Sequence, residues 1–168
     1  MKSQNKIKIM PLTYESYMAV IKNSVGTKMF RNFYAKINGQ KKDVLENGEL
    51  SCAFFASAIL HLFQLIKEPH RTVVSTIKDM EESGWRKIKK IKQGSVLVWE
   101  NLESSDKGEV RKFHKHLGFY IGGEKAISNS SHLGMPKEHH LTYGARDGKP
   151  VRKIETIYWH KKLVNKKP

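Results

Sequence analysis

The sequence has one cysteine, Cys52, among its 168 residues. A single thiol excludes an internal disulfide and every zinc motif built from several cysteines. It leaves Cys52 as either a small buried apolar residue or a reactive nucleophile. Long apolar runs are also missing. The longest, residues 53–66, is interrupted by Ser57, His61 and Gln64 and falls short of the roughly 20 residues that cross a bilayer. It predicts a buried core helix and no membrane span. Near the N-terminus Lys2, Lys6 and Lys8 break up the apolar residues, so the continuous apolar stretch of a secretory signal does not form and no signal peptide is evident. The 5 prolines and 12 glycines are dispersed, with no repeat or low-complexity block. The expectation is one domain over 1–168, with 1–12 as an N-terminal extension and 161–168 as a basic tail.

Acidic residues are scarce. Sixteen Asp and Glu face 31 Lys and Arg, a formal net charge of +15. Such a surface favours polyanionic surroundings, whether nucleic acid, anionic wall polymer or a membrane surface. The cations concentrate in residues 85–92, where five of eight are Lys or Arg, and in 149–168, where seven face the single acid Glu155.

Periodicity gives helices first and strands afterwards. Thr13 is placed to cap a helix whose apolar face uses Tyr14, Tyr17, Met18, Ile21 and Val25, stopped by Gly26. Residues 30–47 mix aromatic and polar side chains around turn signals at Asn38-Gly39 and Asn47-Gly48, and read as a loop with at most one short strand. Ser51 is a suitable cap for a helix over 52–66 that is apolar nearly all round, with Cys52 in its first turn. Thr72 caps a third helix carrying Val73, Val74, Ile77 and Met80, with Gly84 just beyond its end. Strands are expected over 95–99, 113–121, 125–129, 139–143 and 152–160, with a polar loop over 101–110 and a turn at Gly122-Gly123. This order predicts the α+β class with an antiparallel sheet.

Two features make Cys52 a candidate nucleophile. A thiol reacts as its thiolate, and a helix N-terminus or a cationic histidine lowers its ordinary pKa of about 8.5. Backbone N–H groups of the first turn are also placed to bind an oxyanion. Three stretches then come in order: SCAFFASAIL, GSVLVW and HLGFYIG. Together they resemble the NlpC family of papain-like bacterial cell-wall cysteine peptidases, in which a Cys opens a buried helix and a His opens a later sheet strand. The resemblance covers roughly residues 13–129 and, more loosely, the strands beyond. It implies a papain-like NlpC-type fold, with the nucleophile at the N-terminus of a buried helix packed on an antiparallel sheet. Cys52 would be the nucleophile and His116 the base, cleaving an amide bond in a peptide or peptidoglycan-fragment substrate through a thioester, with no cofactor and no metal.

The family's third polar residue, which orients the histidine, falls on Ser128, twelve positions after His116, or on Asn129. Strand parity puts these two on opposite faces. Register favours Ser128 and amide chemistry favours Asn129, with His140 as an outside candidate. Ser51 stands where an Asp usually precedes the cysteine, and Ser95 replaces the usual Asp after Gly94. Tyr34, in RNFYAK, matches the family's aromatic residue ahead of the cysteine loop, so Tyr34 and Ser51 are the candidate substrate-binding residues. His114 and His116 share a strand face that His139 and His140 could approach, which makes a zinc site conceivable, although no standard histidine spacing is present. With no signal evident, the expected location is cytoplasmic, phage-associated or reached by a non-standard export route. The rival expectation is a non-catalytic basic module on the same scaffold that binds nucleic acid or another polyanion.

Overall fold

The structure, a computed structural model, describes residues 9–106, 109–113 and 115–164, the side chains of 102–113 excepted. Helix α1 (Thr13–Asn23) buries Tyr17, Met18 and Ile21, a spacing that keeps them on one face. Thr13 is its first helical residue rather than its cap. Leu12 holds the cap position without a side-chain bond. Helix α2 (Cys52–Leu62) buries Ala53, Phe55, Ala56, Ile59 and Leu60. It ends four residues short of the expected 66, because Gln64 turns into the left-handed region at φ +53 and the Leu65 N–H donates back to Leu60 O at 2.9 Å. Helix α3 (Val73–Glu82) is capped as predicted by Thr72, whose Oγ1 accepts the Ser75 N–H at 3.1 Å. Its inner face differs from the expected one. Thr76, Asp79 and Met80 are buried, and Val74 is 77% exposed.

Strands β1 (Tyr34–Ile37) and β2 (Gln40–Asp43) form a hairpin where a loop was expected. Its two turn residues, Asn38 and Gly39, both have positive φ, the requirement of a tight hairpin turn. The remaining strands are β3 (Arg86–Lys87), β4 (Val96–Trp99), β5 (Leu102–Asp106), β6 (Glu109–Phe113), β7 (His116–Gly122), β8 (Lys125–Ser130), β9 (Met135–His140), β10 (Ala145–Arg146), β11 (Lys149–Pro150) and β12 (Ile154–Trp159). β5 and β6 pair as a separate hairpin across the expected polar loop, and β10 pairs with β11. Six strands make one sheet in the order β3-β12-β4-β7-β8-β9, antiparallel throughout. Strand β9 starts at Met135, four residues before the expected 139.

The chain is therefore of mixed α+β class, with its helices preceding the main antiparallel sheet. Alternation divides that sheet between two environments. Val96, Val98, Leu117, Phe119 and Ile127 point to the face covered by α1 and α2, where they join Tyr17, Ile21, Phe55 and Ile59 in the main core. Leu97, Trp99 and Ala126 point the other way and pack with Tyr120, Leu141, Tyr143, Ile154 and Ile157. Leu163, in the short turn Lys161–Leu163 that follows β12, is 1% exposed and belongs to the main core. The core thus reaches into the stretch expected to be a basic tail; residues 165–168, like 1–8 and His114, lie outside the described residues. Among the described residues no helix is long and apolar enough to cross a membrane.

Candidate functional site

The N-terminus of α2 is shaped by the loop before it. Ser51 occupies the cap position, but its side chain does not cap: Oγ donates to Gly48 O at 3.0 Å. The first N–H groups of α2 therefore receive no side-chain cap from Ser51. Asn129 Nδ2 donates to the same Gly48 carbonyl at 2.8 Å, so β8 holds the loop from the other side. Gly48 has φ +95, and a Cβ there would lie 2.6 Å from Gly134 Cα, so the loop seats directly on the turn between β8 and β9.

His116 is the first residue of β7. Its side chain belongs to the sheet face turned away from α2, but at the strand end it lines the same cleft as Cys52, which opens α2. That cleft has a volume of about 1090 Å³, and Ser128, Asn129, His139, Tyr143 and Arg152 line it as well. The backbone N–H groups of Leu117, the neighbour of His116, and of Ala53 are near enough to the Cys52 sulfur to favour its charged form. Cys52 and His116 thus line one cleft. Among the described residues the ring's hydrogen bond is made by Nε2, to Ser128 Oγ at 2.9 Å.

Ser128 is the hub behind the histidine. Its Oγ also lies 2.8 Å from His139 Nε2 and 3.0 Å from the Tyr143 hydroxyl. The Tyr143 ring stacks on His139 with centroids 4.0 Å apart and planes 17° apart, and Trp99 packs against His116, His139 and Tyr143. Tyr143 reaches this position at φ +60, uncommon for an aromatic residue and a cost of about 1 kcal/mol or more that the stacked rings offset. Arg152 is 7% exposed, and its Nε donates to Glu100 O at 2.9 Å.

Burial governs the electrostatics. It pushes the Cys52 thiol up, and the backbone N–H groups with the Arg152 cation do not reverse the shift. The expected lowering by the helix N-terminus is therefore overturned, because a desolvated sulfur favours its neutral form. Burial, the Arg152 cation and His139 together push His116 well below its usual range. At neutral pH the resting pair is a thiol and a neutral imidazole. Burial also raises Tyr143 to about 12, so its phenol stays protonated.

The other sequence candidates fall elsewhere. Asn129 points to Gly48 rather than to His116, and its Oδ1 is a buried side-chain atom without a partner among the described residues. Ser51 is fully buried with its hydroxyl committed to Gly48, outside the residues that line the cleft. Tyr34 lies on β1, 57% exposed and outside the cleft, with the Lys41 ammonium 4.4 Å from its ring centroid. His140 is exposed and accepts the Thr142 and Gly144 N–H groups at Nδ1, which shapes the turn that carries Tyr143. Among the described residues no group of three or more His, Cys, Asp or Glu is disposed to hold a metal ion. The residues around His116 and Ser128 that sequence reading passed over are His139, considered only as a zinc ligand, and Tyr143 and Arg152, not considered. Only strand parity could have shown that His139 shares a face with Ser128. Compared with known proteins, the chain gives no significant match to any family model or to any curated protein.

Proposed function

We propose that the protein is a cysteine hydrolase that cleaves an amide bond, with Cys52 as nucleophile, His116 as base and Ser128 as the residue behind the base. The observation that carries this reading is the meeting in one cleft of the first residue of α2, the first residue of β7 and Ser128 on β8. The order of these parts along the chain also resembles the papain-like NlpC-type arrangement. From that resemblance the substrate class is a peptidoglycan stem peptide or a related acyl compound.

A neutral pair fixes the sequence of events. Cys52 Sγ bonds to the carbonyl carbon while its proton passes to His116 Nδ1, and the carbonyl oxygen becomes an oxyanion beside the uncapped N–H groups of α2. The C–N bond then breaks. His116 returns the proton to the departing amine and leaves a thioester on Cys52. Water, deprotonated by the same ring, attacks the thioester, releases the acid and restores the thiol. Arg152, close enough to Cys52 for their charges to interact, favours the negative charge that each attack creates.

The test is hydrolysis of a panel of stem peptides, including γ-D-glutamyl amides, followed by mass spectrometry. Cys52→Ala is expected to lower kcat/KM by about 10³-fold or more, and the wild-type enzyme is expected to show a thioester adduct under acid quench. Unchanged cleavage by Cys52→Ala would overturn the assignment.

A further inference from the structure

The hydroxyl of Ser128 has one proton and three partners, so the direction of each hydrogen bond can be worked out from the end of the chain of contacts. That end is the His140 carbonyl oxygen, 2.8 Å from His139 Nδ1. A carbonyl only accepts, so Nδ1 of His139 carries a hydrogen. In the neutral ring Nε2 is then a bare lone pair, and it too can only accept. The Ser128 proton must point to it across 2.8 Å. Ser128 Oγ is left to accept twice, from the Tyr143 hydroxyl at 3.0 Å and from His116 Nε2 at 2.9 Å. His116 therefore carries its hydrogen on Nε2, and its Nδ1 is unprotonated.

We propose that His139 is a positioning residue whose Nε2 lone pair, acting through the single proton of Ser128, holds His116 in the tautomer that makes Nδ1 the base. The value of that tautomer rests on the Cys52 and His116 reading given above; the coupling between the two rings does not.

The same wiring makes the site sensitive to protonation of His139. A doubly protonated ring would donate to Ser128 and free its proton to turn to His116 Nε2 or to the Tyr143 hydroxyl. His116 would then no longer be held to the Nε2–H form, and the share of rings with a basic Nδ1 would fall. Among the described residues, the titratable and charged groups facing His139 are Lys137 and His140 on its own strand, His116 on β7, Tyr143 in the turn after β9 and Arg152 before β12. Burial and these cations hold the ring below its usual range, and no carboxylate opposes them there. The neutral wiring is thus the state at pH 7, and activity falls as pH is lowered through the His139 titration.

The experiment is nitrogen NMR of the full chain labelled with ¹⁵N-histidine, which reads each imidazole tautomer without any substrate. In the wild type, His116 is expected as the Nε2–H form at pH 7 and should become a mixture of tautomers with the same midpoint as His139 protonation. His139→Phe keeps the ring stack on Tyr143 but offers no acceptor. It is expected to mix the His116 tautomers and to lower kcat by about 10²-fold, while His139→Gln, whose Oε1 accepts the Ser128 proton, restores both. A His139 titration that leaves the His116 tautomer unchanged, or a pure Nε2–H form in His139→Phe, overturns the proposal. Coupled tautomers in a protein that cleaves no amide would leave the coupling standing and remove the hydrolase reading instead.

Discussion

Gly118 lacks a side chain where β7 can least accept one. It shares its face with His116 and pairs across with Ser128. A Cβ built there would lie 2.6 Å from Ile127 O, 2.7 Å from Ser128 Cβ and 3.0 Å from Trp99 Cζ3. Its φ is ordinary, so what is at stake is space: the missing methyl lets Ser128 come within hydrogen-bond distance of His116 and lets Trp99 pack beside both. Gly118→Ala is therefore expected to push Ser128 away from the ring, at a cost of about 1–3 kcal/mol of stability from overpacking. Because geometry at the base is disturbed as well, kcat should fall by about tenfold or more, with the larger effect on kcat than on KM. Urea unfolding and steady-state kinetics on the same cleaved peptide check both. A variant with wild-type kcat would show that the tight approach of Gly118 and Ser128 is only structural.

At the scale of elements, Asp79 fastens the segment that joins α2 to α3. Its carboxylate accepts the N–H groups of Lys67 and Glu68, the Ser83 hydroxyl at 2.8 Å and a contact from His70 Nε2 at 2.8 Å. Burial opposes the charge, but bonds from His70, Lys67, Ser83 and Glu68 outweigh it and hold the group at about 2. The carboxyl is thus lower in the folded chain than its unfolded value of about 3.9. Its contribution, on the order of 2 kcal/mol, is present above pH 4 and lost as pH falls through about 2. Asp79→Asn should be less stable than wild type at pH 7 by at least that much, and the difference should shrink toward pH 2. Equal differences at both pH values in urea titrations would contradict this account. The same segment shows what sequence can and cannot convey. The Thr72 cap of α3 was legible, because capping is a bond between residues three apart. The early end of α2 was not, since nothing near Gln64 signals a positive φ. The hairpins β1/β2 and β5/β6 were hidden because strands outside the main sheet need no apolar alternation. The family resemblance brought forward Cys52 and His116, with Ser128 or Asn129 behind the ring, and strand parity allowed only one of the last two to face it. The sequence could not reveal the rise in the Cys52 pKa, which depends on how deeply other segments bury the sulfur, or the arrival of His139, Tyr143 and Arg152 from beyond β8.

Over the whole molecule the charge is lopsided enough to act at a distance. Sixteen acids can partner at most about half of the 31 cations, and the ion pairs on the described surface, such as Lys67 with Glu82 and Lys125 with Glu138, are exposed and add little to stability. The cleft has the same bias: Arg71, Lys115, Lys137 and Arg152 line it with Glu49 as the acid among the described residues. A field of this sign is expected to draw anionic polymers toward the cleft. Binding of a labelled polyanion, measured by fluorescence anisotropy with a DNA duplex as probe, should weaken as a straight line in log salt. If about three phosphates are neutralised, the loss between 50 and 200 mM salt is about 40-fold. Cys52→Ala leaves every cation in place, so it should bind as the wild type does while losing cleavage, which separates the two properties in one protein. Salt-independent binding, or none, would mean that the +15 charge is a solvated surface without a polymer to hold.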